Sequence, residues 1–164
     1  ENLLNRLLNM KIGFLCIALL SCSTWVNAST YCNPRFQFCV DYPSSLKTQY
    51  PESINGDGRI FKLVGSKADI RAYGTHAPGV FYDSDQQYLA SLKSEYSKEN
   101  SITYQRKKRN SYTISGYTSS GNIFYDHIVV KNREAIVVHF DYPVSEKDKM
   151  NEMIKQMSSS LRFK

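Results

Sequence analysis

Residues that carry chemistry are scarce in this chain. Of 164 residues, three are histidine, four are cysteine and one is tryptophan. The cysteines form no Cys-x-x-Cys pair, so the spacing that lowers one thiol's pKa in redox enzymes is missing. No second close pair and no neighbouring histidines complete a four-ligand zinc site around Cys32 and Cys39. A Gly-x-Ser-x-Gly elbow is absent, and no serine has a placed His/Asp pair, which removes the usual signature of nucleophilic hydrolysis. No apolar run reaches the ~18 to 20 residues a membrane-spanning helix needs, and neither repeats nor low-complexity segments interrupt the chain. What is left is expected to be a single folded domain that needs no cofactor.

The N-terminal region is set apart. From Met10, Lys11 supplies a positive charge, Ile12 to Cys22 is apolar, and Val26-Asn27-Ala28 places small residues where signal peptidase cuts. The expectation is an export signal over Met10 to Ala28, preceded by nine upstream residues, with a single α+β domain over 29–164. A lipoprotein reading, with Cys22 acylated, competes with it, although Leu20 is awkward in that role. Either route leaves the domain periplasmic or secreted, without a transmembrane span. There Cys32 and Cys39 would most simply form one disulfide. Seven steps of extended strand separate Cα atoms by roughly 23 Å, whereas a disulfide needs about 5.5 Å. The chain must therefore reverse between them, and Asn33-Pro34 supplies the turn.

From Phe36 to Tyr42 apolar and polar residues alternate, the period of a strand with one buried face. Phe36, Phe38, Val40 and Tyr42 share that face, so Cys39 and the bridge should lie on the outer one. The residues 53–58, Ser-Ile-Asn-Gly-Asp-Gly, are turn chemistry, and strands are expected over 59–64 and 69–73. Residues 74–83 read as an irregular loop. Ser84 and Gln87 make a capping box for a helix whose Tyr88, Leu89, Leu92 and Tyr96 share a face. Four alternating runs follow between 101 and 142, joined by connections short enough for an antiparallel meander. Pro143 ends the last run, Ser145 caps a closing helix, and Met150, Met153, Ile154, Met157 and Leu161 form its apolar stripe. The order βββαββββα implies an α+β fold, an antiparallel sheet of about seven strands with two helices packed on it.

Four stretches carry a resemblance. They are Phe38-Cys39-Val40-Asp41-Tyr42-Pro43, Asn55-Gly56-Asp57-Gly58-Arg59-Ile60-Phe61, Ala68-Asp69-Ile70-Arg71-Ala72-Tyr73-Gly74 and Ser160-Leu161-Arg162-Phe163. Together they are similar to small exported bacterial domains with a PsbP-like fold. That resemblance implies a non-catalytic accessory or binding protein and transfers no functional residue.

Candidate functional residues gather in three places. Arg106, Lys107, Lys108 and Arg109 form a basic hairpin tip beside Tyr104. They suit an anionic polymer or an acidic protein groove, but equally keep a sheet edge soluble. His76, Phe81 and Tyr82 lie in the 74–83 loop, where the aromatics would anchor a partner or pack under the helix. The Lys131-Asn132-Arg133 turn centres a hairpin near residue 132 or 133, and a centre at 133 would set His127 and His139 opposite each other, as a two-histidine metal patch or as ordinary sheet residues. Asp57 and His76 are a further conceivable acid/base pair for a hydrolase. The leading expectation is a non-enzymatic envelope protein whose partner is an envelope protein or an anionic envelope polymer, not nucleic acid. An immunity or inhibitor protein acting through residues 74–83 is the alternative, and the net charge of +6 speaks against a basic lysozyme as its target.

Overall fold

The computed structural model describes residues 28–48 and 53–164. Met10 to Asn27 of the expected export signal, with Cys16 and Cys22, lie outside the described residues. A short strand β1 (Ala28–Asn33) turns back into β2 (Phe38–Pro43). After β3 (Leu46–Thr48) come β4 (Gly58–Leu63) and β5 (Asp69–Thr75), then helices α1 (Ala77–Phe81) and α2 (Asp85–Ser97). The meander β6 (Asn100–Lys107), β7 (Ser111–Thr118), β8 (Ile123–Lys131) and β9 (Glu134–Tyr142) leads to α3 (Lys147–Ser160) and β10 (Arg162–Phe163). The α+β class and the antiparallel meander are as expected. Among the described residues the strands form two sheets: a small one, β1-β2-β10, and a large one of seven strands in the order β3-β4-β5-β9-β8-β7-β6.

The large sheet is covered on both faces because its central strands are apolar on both. In β9, Ile136, Val138 and Phe140 point to one side, where Phe38, Val40, Met150, Ile154 and Met157 meet them. Ala135 and Val137 point to the other, against Leu89, Leu92 and Phe124. The α3 stripe is thus core, as its spacing indicates, and each fully buried Met or Ile contributes roughly 1.5–3 kcal/mol. The small sheet shares the α3 face; α2 takes the opposite one.

Several local expectations are revised. Strand β2 starts at Phe38, and Phe36 sits in the preceding turn, 3% exposed. Buried Asn33 organises that turn: its Oδ1 accepts from Phe36 N at 2.9 Å, while its Nδ2 donates to the Tyr31 hydroxyl and to Gly56 O. Cys32 and Cys39 are direct cross-strand partners joined by a disulfide, with Cα atoms 4.1 Å apart. The bridge lies on the outer face; Cys32 is exposed, while Cys39 is shielded by β10 beside it. In the chain-entropy model so short a loop contributes about 2.5 kcal/mol. Ser145 does not cap α3. Glu146 takes the N-cap position, and its carboxylate instead receives the Ser66 hydroxyl and the Lys67 amide.

Residues 74–83 are more ordered than expected. Thr75 ends β5, and α1 follows at once. Arg133 holds it in place. At the β8–β9 turn its guanidinium donates to the carbonyls of Gly79, Tyr82 and Asp83, and its amide donates to Asp85 Oδ1. The helix-terminal carbonyls, which lack partners within so short a helix, are thereby satisfied. For α2 the box forms with a shift: Ser84 Oγ accepts from Gln87 N, and the Gln87 side chain reaches the amide of Asp83.

Candidate functional site: a basic cavity between the sheet and α3

Strand parity sends Arg106 and Lys107 of the hairpin tip to opposite faces, and Lys108 in the turn joins Arg106. Arg106 pairs with Thr113, which pairs with His127, so these three share the α3 face. Lys107 pairs with Tyr112, which pairs with Ile128, so these share the α2 face. Two of the four cations therefore reach a cavity of about 540 Å³ lined by Arg106, Lys108, Tyr104, Thr113, Tyr125 and His127 from the sheet. Lys155, Ser158 and Ser159 close it from the end of α3. No residue lining it carries a carboxylate, and none of its three cations forms an ion pair among the described residues. At the C-terminal end of α3 the Ser160 carbonyl accepts from Arg162 at 2.8 Å. An anion entering this cavity would meet three unpaired positive charges and a ring of hydroxyls.

The floor is polar and neutral. Thr113 Oγ1 and His127 Nδ1 share a hydrogen bond of 2.8 Å. Burial and the nearby Lys108 charge lower the His127 pKa, so its ring is uncharged at neutral pH. Burial raises the Tyr125 phenol and keeps it a hydrogen-bond donor.

A β-bulge aims the β6 wall. Ile102 pairs with Gly116 and Tyr104 with Ser115, leaving Thr103 as the additional residue. In unbroken alternation Ile102, Tyr104 and Arg106 would share one face. The bulge turns Ile102 into the α2-side core and sends Tyr104 and Arg106 to the cavity side. Gly116 permits it, because a Cβ there would lie 1.9 Å from Ser101 O and 2.9 Å from Ile102 Cα.

The other candidate residues lie apart from this cavity. His76 stacks on Phe36 with ring centroids 4.5 Å apart, and its Nδ1 is 3.2 Å from Glu134 Oε1. Of the conceived acid/base pair, Asp57 accepts from the Ser53 hydroxyl, and His76 faces Glu134. Phe81 is 76% exposed and does not pack beneath α2, whereas Tyr82 lies edge-on to Tyr88. His127 and His139 are not opposite one another. The Asn132-Arg133 turn, both residues at positive φ, makes the hairpin two-residue, so His139 pairs with Asp126 and His127 with Val138. The two histidines occupy opposite faces, and no metal-ligating cluster occurs among the described residues. On the α2 face His139 Nδ1 contacts Asp126 at 2.7 Å, and Asp126 is 2% exposed. Burial opposes protonation of His139, but the hydrogen bond and charge of Asp126 outweigh it and raise the ring's pKa. Lys155, Thr113 and Tyr125 were not singled out from sequence. Lys155 follows Ile154 of the α3 stripe directly, and only the packing of α3 shows where it points.

The comparisons bear on the fold. No family model matches the chain, and no curated protein matches it. The solution structure of cyanobacterial PsbP (CyanoP) from Synechocystis sp. PCC 6803 superposes with a TM-score of 0.53, covering 85% of this chain and 94% of that one at 8% identity. A crystal structure from Bacteroides thetaiotaomicron VPI-5482 aligns with a TM-score of 0.49 and 13% identity, over 82% of this chain and 48% of that one. The fold is therefore PsbP-like, as the four sequence stretches indicate. At such identities the likeness concerns the fold alone.

Two outcomes follow from this geometry. Gly116→Ala closes the space the bulge needs and should destabilise the protein by about 1–3 kcal/mol in denaturant titration, with amide shifts centred on residues 101–106; an unchanged midpoint would contradict the bulge's role. For His139 the folded-state pKa is raised, so its stabilising contribution is complete below about pH 6.5 and is lost as pH rises through the folded value. His127, whose pKa is lowered, acts in the opposite sense and costs stability as pH falls below about 6.5. His139→Gln should therefore abolish the decline in stability above pH 6.5 while leaving the acid-side decline; a variant with the parent's alkaline profile would refute the assignment.

Proposed function

We propose that this chain is an exported, non-enzymatic accessory protein that binds an anionic component of the bacterial envelope through the cavity between β6–β8 and α3. The observation that carries this reading is the cavity's charge: Arg106, Lys108 and Lys155 converge with no carboxylate in the lining. Convergence of like charges is unfavourable without a counter-charge and favours an anionic occupant. The disulfide supports an oxidising compartment, and no helix among the described residues is long and apolar enough to cross a membrane. The PsbP-like fold is consistent with an accessory role. The histidines support a non-catalytic reading, since His76 and His139 are engaged by Glu134 and Asp126, and His127 is shared with Thr113.

A second reading rests on α1. Val80 and Phe81 are 67% and 76% exposed on a helix clamped by Arg133. Such a rigid apolar knob suits a protein partner and is the surface an immunity or inhibitor protein would insert.

Parity supplies a controlled test of the first reading. Retention of the exported domain on immobilised anionic envelope polymer should be salt-sensitive, and Arg106→Glu with Lys108→Glu should lower the affinity by at least about tenfold. Lys107→Glu with Arg109→Glu makes the same charge change and should leave binding nearly intact. Equal losses from the two pairs would show diffuse tip charge instead of a site, and no loss from either would refute the cavity.

A further inference from the structure

A second cavity adjoins the basic one. It has a volume of about 260 Å³, shares Tyr104 and Tyr125 with its neighbour, and adds Tyr117, Tyr142, Lys147 and Asn151. Tyr104 and Tyr117 are 48% and 43% exposed, and no carboxylate lines this cavity either. Lys147 and Lys155 lie eight positions apart on α3, about 12 Å along its axis at ~1.5 Å per residue. The two cavities thus lie end to end beside one helix, with a lysine from α3 at each and tyrosines at their junction.

We infer that this paired groove takes an anionic oligosaccharide, with one sugar ring against the tyrosines and its acidic group, or that of the adjacent ring, among the cations. The inference rests on the anion-binding reading above and adds the class of ligand. A sugar ring presents a C–H face bordered by hydroxyls, and tyrosine offers the matching combination of an apolar ring and a polar tip. Asn151 and the hydroxyls of Thr113 and Ser159 are partners for the sugar's hydroxyl groups. A bare polyphosphate would use the cations and leave the tyrosine cavity without a role. A lipid surface calls for protruding apolar side chains, and the exposed Ile54, Val64, Val80 and Phe81 line neither cavity.

The test is calorimetric titration of the exported domain with an oligogalacturonate, a neutral oligosaccharide of the same length, inorganic polyphosphate and phosphatidylglycerol vesicles. The oligogalacturonate should bind most tightly, with the neutral glycan at least about tenfold weaker. Tyr117→Ala, a half-exposed position that lines the second cavity alone, should weaken the oligogalacturonate about tenfold and leave polyphosphate unchanged; Arg106→Gln should weaken both. Polyphosphate or vesicles binding as tightly as the oligogalacturonate, with Tyr117→Ala neutral, would overturn the glycan assignment while leaving anion binding in place. Binding of no anion at all would overturn both.

Discussion

The structure depends on one constraint, that β9 is buried on both faces. Ile136, Val138 and Phe140 on one side and Ala135 and Val137 on the other leave no face for water. Each side must be covered, and two-sided burial of an antiparallel sheet calls for separate layers. Helix α2 supplies one. The other is composite: α3 and the small β1-β2-β10 sheet share it, joined through Phe38, Val40 and Met157. The disulfide and buried Asn33 hold the small sheet's turn in register, so the staple near the N-terminus serves the same core as the last helix.

The composite cover also explains the cavity. It packs over β4, β5 and β9, where the first core cluster lies, but extends only partly over β6–β8. There the α3-facing side chains of β8 between the aliphatic Ile123 and Val129 are Tyr125 and His127, and β7 adds Thr113 and Ser115. The face tolerates water because its sequence is polar, and the bulge opposite Gly116 adds Tyr104 and Arg106 to it. The groove is a product of how far the cover reaches and which way one edge strand is turned.

Much of this architecture was legible because periodicity reports burial directly. The α3 stripe, the β6–β9 meander and the capping residues of α2 follow from spacing, and the chain reversal at Asn33-Pro34 from the Cys32–Cys39 pair. The histidine pairing was not legible, since it hinges on a half-residue shift in the hairpin centre. Arginine is an unusual residue at positive φ, and Arg133 sits there where its guanidinium engages the carbonyls of α1, a tertiary reason that Lys-Asn-Arg alone does not disclose. The bulge in β6 was equally hidden, because its enabling glycine lies on the neighbouring strand. The basic tip was found as a cluster, but the opposite facing of Arg106 and Lys107 required the register. Lys155 came from an element read as core, whose flank proved to border the site.

The central claim is that the convergent charges of Arg106, Lys108 and Lys155 make this face the binding site of the molecule. The most direct measurement is an amide chemical-shift titration of the isotopically labelled domain with inorganic phosphate. The account predicts saturable shifts confined to residues 104–108, 111–113, 125–127 and 155–159, with the α1 amides unmoved. Shifts scattered over every surface lysine, or centred on residues 77–82, would contradict it.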